Sequence, residues 1–303
     1  MEEFLQQLIN GLSLGAIYAL IALGYTMIYG VLRFINFAHG DVFMIGTYIG
    51  FYVLNTAFVQ SLGPGAETAV IVFLAAMVGC GLLGVIIEFL AYRPLRNRPK
   101  LTVLITAIGV SFFLEYTGQL PFVFGADPRT FPTVVEKTTV LQAGGLVIDS
   151  YQIIIFVVAI ALMLGLRLLI MKTRIGTALR ASSMNLKAAS LMGINTNAVI
   201  SFTFFVGSAL AGAGAILYAM SYPKINPLMG ILPGLKAFIA AVLGGIGNIL
   251  GAAVGGFIIG AAETMTAGYI SPTLRDAIVF AILIIILIVK PSGLFGRGGT
   301  EKV

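Results

Sequence analysis

The chain has 303 residues, 59% of them hydrophobic and only 10% charged, with a mean hydropathy of +1.03. A soluble globular domain is about 45–50% apolar and about 25% charged, so this composition excludes an ordinary soluble protein and points to helices in lipid. The net charge of +6 does not indicate nucleic acid as a partner, because no basic face alternates with stacking aromatic residues.

About 20 apolar residues cross a bilayer as a helix, and lipid offers no partner to free backbone groups. On that basis helices are expected near 5–31, 38–59, 67–92, 102–121, 151–171, 197–220, 235–262 and 273–290. The fold class is all-α: a polytopic membrane bundle of about eight hydrophobic segments, forming one domain over 1–303. Met1-Glu2-Glu3 lacks the basic stretch of a cleavable signal, so the first apolar segment is expected to stay in the mature chain. That segment contains Gly11-Leu12-Ser13-Leu14-Gly15, which fits G-x-S-x-G. The motif supplies a nucleophile only at a strand-to-helix elbow with a histidine and an acid nearby, so no catalytic residue is assigned.

The stretch Asn36-Phe37-Ala38-His39-Gly40-Asp41 follows and holds the sole histidine. Polar groups at membrane depth are costly and often functional, so Asn36, His39 and Asp41 are candidates for a translocation path. The competing reading is a helix cap and turn, with Asn36 or Asp41 accepting from first-turn amides and Arg33 as an interfacial anchor. Further along, Glu88 is expected to reach toward Arg93 at the membrane surface, Glu115 to face protein, and Glu263 and Asp276 to lie on the surface. Cys80 is the sole cysteine and sits in an apolar run, which excludes disulfides and thiolate metal clusters.

Basic residues fall in three stretches: Arg93, Arg96, Arg98, Lys100; Lys172, Arg174, Arg180, Lys187; and Lys290, Arg297, Lys302. The positive-inside rule puts 93–100 and 172–195 in the cytoplasm, and 122–150, 221–233 and the N-terminus outside. Counting three unbroken spans forward from 195 would then place the basic C-terminus outside as well. The conflict disappears if 235–262 is broken or re-entrant. Its middle, Leu243-Gly244-Gly245-Ile246-Gly247-Asn248, suits a break, since each glycine costs a helix about 1 kcal/mol relative to alanine. Irregular backbone at membrane depth must be buried in protein or line a cavity, which makes Gly244, Gly245, Gly247 and Asn248 further path candidates. Alternatively, these glycines serve close helix packing, as GxxxG pairs do at Gly46/Gly50, Gly251/Gly255 and Gly256/Gly260.

Between 172 and 195, Ala181, Met184, Ala188, Leu191 and Met192 recur at a helical period among basic and polar residues. This reads as a short amphipathic helix outside the membrane, ended by Gly193 and Asn195. A short solvated helix is marginal alone, so docking on a partner accounts for it; a basic loop lying on anionic lipid is the alternative.

Lys187-Ala188-Ala189-Ser190-Leu191-Met192-Gly193 resembles the EAA loop of bacterial ABC importer permeases. With Leu20–Gly30, Ile35–Asp41, Ala91–Arg96, Leu191–Thr196 and Ala240–Gly247, the chain resembles the branched-chain amino acid permeases of the LivH type from about residue 4 to 303. The resemblance implies a coupling helix that docks on an ATPase subunit, with Arg180, Lys187, Ala188, Ala189, Ser190 and Gly193 as its contact residues. Lys187 stands where the general motif has Glu, so a salt bridge from that position does not carry over. The resemblance also implies uptake of leucine, isoleucine and valine across a bacterial cytoplasmic membrane. The expected partners are a LivM-like second permease, two ABC ATPases and an extracytoplasmic amino-acid-binding protein. No cofactor or metal is expected, and without a GxxxxGK[ST] loop ATP hydrolysis falls to the partners. Permeases for urea or amides, an ion-coupled secondary transporter, and an intramembrane hydrolase using Ser13 and His39 are the alternatives.

Overall fold

The computed structural model describes residues 2–96 and 98–296, so Arg297 and Lys302 of the third basic stretch lie outside the described residues. Among those described, seven helices are long and apolar enough to cross a membrane. The chain is a multi-pass membrane protein.

In chain order the helices are α1 (Glu2–Leu32), α2 (His39–Leu54), α3 (Ala57–Leu62), α4 (Ala66–Ile87), α5 (Lys100–Gly118), α6 (Ser150–Lys172), α7 (Arg174–Met184), α8 (Leu186–Leu191), α9 (Thr196–Ser221), α10 (Ile231–Gly244), α11 (Ile249–Tyr269) and α12 (Arg275–Val289). All the expected apolar segments are helical. Helices α1 and α9 form the buried centre, whereas α4, α5, α6 and α12 turn large apolar side chains outward, among them Leu74, Phe112, Val157 and Ile288. Such a surface is stable only against lipid or another apolar subunit. One end of the bundle carries Arg33, Arg93, Arg96 and α7–α8, and is called the basic face below. The other end carries a β-hairpin, β2 (Thr139–Ala143) with β3 (Leu146–Asp149), and a short pairing of β1 (Arg129–Thr130) with β4 (Lys224–Ile225). The hairpin was not expected, although Gly144-Gly145 between two β-branched runs is its turn signal; Gly144 takes φ +61°.

The segment 235–262 is broken, as expected, and the glycines around the break allow close backbone packing. Helix α10 stops at Gly244, Gly245 and Gly247 take φ of +100° and +96°, and the Asn248 side chain caps α11 by accepting from Gly251 N at 3.1 Å. The chain then doubles back, so that Gly255 faces Ala240 and Gly251 packs on Gly244. Helix α10 starts at Ile231, four residues earlier than read from hydropathy, because Pro233 sits in its first turn where no N–H is required. The C-terminal segment returns to the basic face: Leu294 N donates to Leu243 O and Phe295 N to Gly244 O.

Two triplets pack alike. Helix α1 lies on α11 as α9 lies on α4, and α2 lies against α9 as α10 lies against α1. Since α1 and α9 run in opposite directions, the halves form an inverted repeat. In each half an irregular stretch leads into a half-length helix: 33–38 into α2 and 222–230 into α10. Arg33, at φ +57°, turns the chain out of α1, and residues 34–38 climb back into the bundle until His39 lies against Gly24. The sequences repeat as well: Ile35-Asn36 precedes Gly40 by the same spacing at which Ile225-Asn226 precedes Gly230. His39 N donates to Asn36 O at 3.2 Å, and Met229 N to Asn226 O at 3.1 Å.

The 174–195 region is two helices rather than one. Asn185 is extended at φ −156° and its side chain accepts from Ala188 N at 3.0 Å to start α8. A short polar side chain that captures a backbone amide in this way favours a new helix start over continuation.

Candidate functional site

The starts of α2 and α10 meet inside the bundle. Gly40 and Gly230 touch through their backbones, and Gly234 also lies on Gly40. Neither helix start has a side-chain cap, so their first-turn amides and positive dipole ends face the same region. A cavity of about 200 Å³ opens there, lined by Tyr25, Phe37, Gly40, Asp41, Ser111, Phe112, Glu115, Gly230, Ile231 and Gly234. Its polar side-chain groups are the carboxyls of Asp41 and Glu115 and the hydroxyls of Ser111 and Tyr25. Asp41 and Glu115 are 2% and 6% exposed, and Ser111 Oγ donates to Asp41 Oδ2 at 2.5 Å. Ser111 and Glu115 are four residues apart on α5 and therefore share one face.

His39 and Asn36 stand behind this cavity. The His39 ring lies edge-on to Tyr25 at 4.7 Å, and a Cβ at Gly24 would meet the ring 2.6 Å from Cε1; only glycine fits there. Both ring nitrogens are buried without a hydrogen-bond partner among the described residues. Asn36 caps nothing with its side chain; its Oδ1 accepts from Tyr92 OH at 2.6 Å. Asn36 therefore makes the turn into α2 through its backbone carbonyl and does not cap the helix with its side chain. Of the three candidates Asp41 alone lines the cavity, while His39 packs on Tyr25 and Gly24 and Asn36 on Tyr92. The structure places Gly244, Gly245, Gly247 and Asn248 elsewhere, at the basic face, where Asn248 Nδ2 also donates to Phe295 O at 3.0 Å.

Among the coupling candidates, Lys187, Ala188, Ser190 and Gly193 are exposed, Arg180 is half-buried and Ala189 is buried against the bundle. Met184, Leu191 and Met192 are 87%, 88% and 83% exposed, so the apolar side chains project away from the protein. Three caps hold this unit: Thr173 for α7, Asn185 for α8 and Asn195 for α9. Arg33 ties it to the end of α1 by donating to Ser183 O at 3.2 Å. Next to it Glu88 is fully buried and accepts from Arg93, Arg96 and Ser201, the position expected for it, although locked in place rather than reaching for water.

Glu263 corrects its surface assignment. It is 1% exposed, accepts from Tyr18 OH at 2.8 Å and Arg275 Nε at 2.9 Å, and pairs with Lys236 Nζ at 2.7 Å. Lys236 also reaches Asp276 at 2.6 Å. Lys236 escaped the sequence reading, though a lone lysine within the apolar run 231–244 signals a buried partner. The cluster borders a cavity of about 670 Å³ on the hairpin side. Ser13 donates to Ile9 O within its own helix, and Gly11 and Gly15 are the seat of α11.

An inverted repeat of half-helices that meet at a buried polar cavity defines a membrane transport protein. The chain belongs to the family described as branched-chain amino acid transport system / permease component, which matches residues 7–287. It is 44% identical to the high-affinity branched-chain amino acid transport system permease protein BraD of Pseudomonas aeruginosa, over 99% of this chain and 98% of that one. It is 42% identical to the corresponding LivH of Escherichia coli K12, over 99% and 98%. It is also 31% identical to the probable LivH of Methanocaldococcus jannaschii, over 91% and 88%. The chain is therefore a transport component of the membrane.

Proposed function

We propose that this chain is the permease subunit of an ATP-driven importer that moves leucine, isoleucine and valine across the cytoplasmic membrane. The observation that carries this reading is the outward apolar tip of α7–α8, formed by Met184, Leu191 and Met192 on a capped, bundle-anchored stub. Solvated apolar side chains clustered in this way suit a partner surface, and the basic character of this face suits the cytoplasm. An ATPase subunit docked on Lys187, Ala188, Ser190 and Gly193 would push the stub. The push passes through Arg33–Ser183 to the end of α1 and to the loop that feeds α2. It also passes through Gly176, which is wedged against the carbonyls of Leu169 and Ile170, to α6.

The central cavity opens sideways between exposed Ile108, Phe112 and Ile231. A second, LivM-like permease covering that flank would complete the path, and the binding protein would deliver substrate at the hairpin face. The named relatives transport branched-chain amino acids, which is the support for the cargo.

Purification from a mild detergent tests the assignment. The chain should come out with a second permease and two ATPases. A chain that purifies alone, and whose cells still take up leucine after loss of the ATPases, is an ion-coupled carrier instead.

A further inference from the structure

The central cavity holds two carboxyls. Asp41 comes from the first turn of α2 and Glu115 stands beside it on α5. A buried carboxylate needs a cationic or hydrogen-bonding partner. Ser111 supplies one hydrogen bond to Asp41, and among the described residues no lysine, arginine or histidine lies within ion-pair distance of either carboxyl. The Glu115 carboxyl, more than nine-tenths buried, borders the open volume and hydrogen-bonds with the Asp41 carboxyl. By contrast, the other two fully buried carboxylates, Glu88 and Glu263, are each held by two cations. The chain therefore neutralises its structural acids and leaves the cavity pair without a cation.

Asp41 itself belongs to the start of α2, and the starts of α2 and α10 meet at Gly40, Gly230 and Gly234, which close against one another with no side chains between them. The volume, about 200 Å³, exceeds the roughly 10–15 Å³ that a single water requires and admits an amino-acid head group. The aromatic rim of Tyr25, Phe37 and Phe112 suits an apolar side chain.

We propose that Asp41 and Glu115 hold the α-ammonium group of the substrate amino acid within the bundle. This rests on the transport reading above and names the group recognised there. Ammonium is the shared requirement of leucine, isoleucine and valine, so a site for it accepts all three and leaves side-chain choice to the aromatic rim.

The test is photolabelling of the purified complete importer with photo-leucine, a diazirine analogue that keeps the ammonium and carboxylate. Label should appear on peptides carrying 37–41, 108–116 or 230–235. Excess L-leucine should suppress it at least ten-fold, and 4-methylpentanoate, which is leucine without its amino group, should leave it intact. Glu115→Gln should lower labelling at least ten-fold, Asp41→Asn likewise, and Glu115→Asp less than three-fold. Equal competition by 4-methylpentanoate, or wild-type labelling in Glu115→Gln, overturns the proposal. Loss of the second permease from Glu115→Gln complexes overturns it too, since the carboxyls would then pair with a cation of that subunit. If wild-type complexes fail to take up leucine on ATP, the transport reading itself has failed, a result separable from all of these.

Discussion

Gly40 and Gly230 meet backbone to backbone: a Cβ on Gly40 would sit 2.7 Å from the carbonyl oxygen of Gly230. This contact joins the two half-helices and brings the central cavity into being. Its neighbours are also glycine, Gly24 under His39 and Gly234 over Gly40, so four small residues on α1, α2 and the start of α10 allow the approach.

Substitution at this contact has a defined cost. Gly230→Val should destabilise the protein by about 1–3 kcal/mol, the usual penalty of overpacking, and should abolish uptake because the helix starts separate. Gly30→Ala, at a helical position with open space around it, should be neutral or stabilising by about 0.5–1 kcal/mol. Thermal unfolding in detergent and leucine uptake by cells measure both. A Gly230→Val protein as stable and active as the parent contradicts the contact.

The Lys236–Glu263 pair should behave as a coupled unit. Glu263→Leu leaves Lys236, which is 2% exposed, with only the part-exposed Asp276 as partner, and should cost about 3–5 kcal/mol, as breaking a buried pair does. The double variant Lys236→Met/Glu263→Leu should recover most of that loss. A double-mutant cycle on thermal stability reads the coupling, and additive losses would show the two residues to be independent.

On α8, neighbouring residues should separate docking from folding. Leu191→Asp changes an outward side chain, so the permease should fold with unchanged thermal stability yet lose its ATPase partner on purification. Ala189→Leu, at a buried position, should lower stability by about 1–3 kcal/mol. If Leu191→Asp retains the ATPase, α8 is not the docking element.

At the break, Asn248→Ala removes the cap of α11 and the bond to Phe295 O. The cap alone is worth about 1 kcal/mol. Limited proteolysis should then cut the C-terminal segment after Lys290 faster than in the parent. Equal cutting rates would show that Asn248 does not retain it.

The membrane spans were legible because lipid imposes one rule, a run of apolar residues long enough to cross, and α4, α6, α9 and α12 obey it. The break at Gly244–Asn248 was legible because three glycines in five residues oppose a helix and the basic C-terminus required a turn. The beginning of α2 within the bundle was not. A half-helix continues the apolar run of the span that it completes, and hydropathy records composition rather than depth. The repeat of Ile-Asn and Gly at 35–40 and 225–230 was the available signal, too short to stand out without the contact between Gly40 and Gly230. The split at Asn185 was hidden because Asn185 fits either a polar face or a cap. Glu263 read as a surface residue because its partners, Tyr18, Lys236 and Arg275, are far from it in sequence or across a turn. The cavity drew Asp41 and Ser111 from positions 70 residues apart, with Glu115 one turn beyond Ser111, and local pattern cannot pair them.

Uptake of radiolabelled L-leucine into proteoliposomes holding this chain with its second permease, ATPases and binding protein tests the central claim. Accumulation should require ATP on the side of α7–α8 and binding protein on the side of the hairpin, and Leu191→Asp should abolish it. Accumulation that proceeds without ATP, or that follows ATP supplied on the hairpin side, contradicts the account.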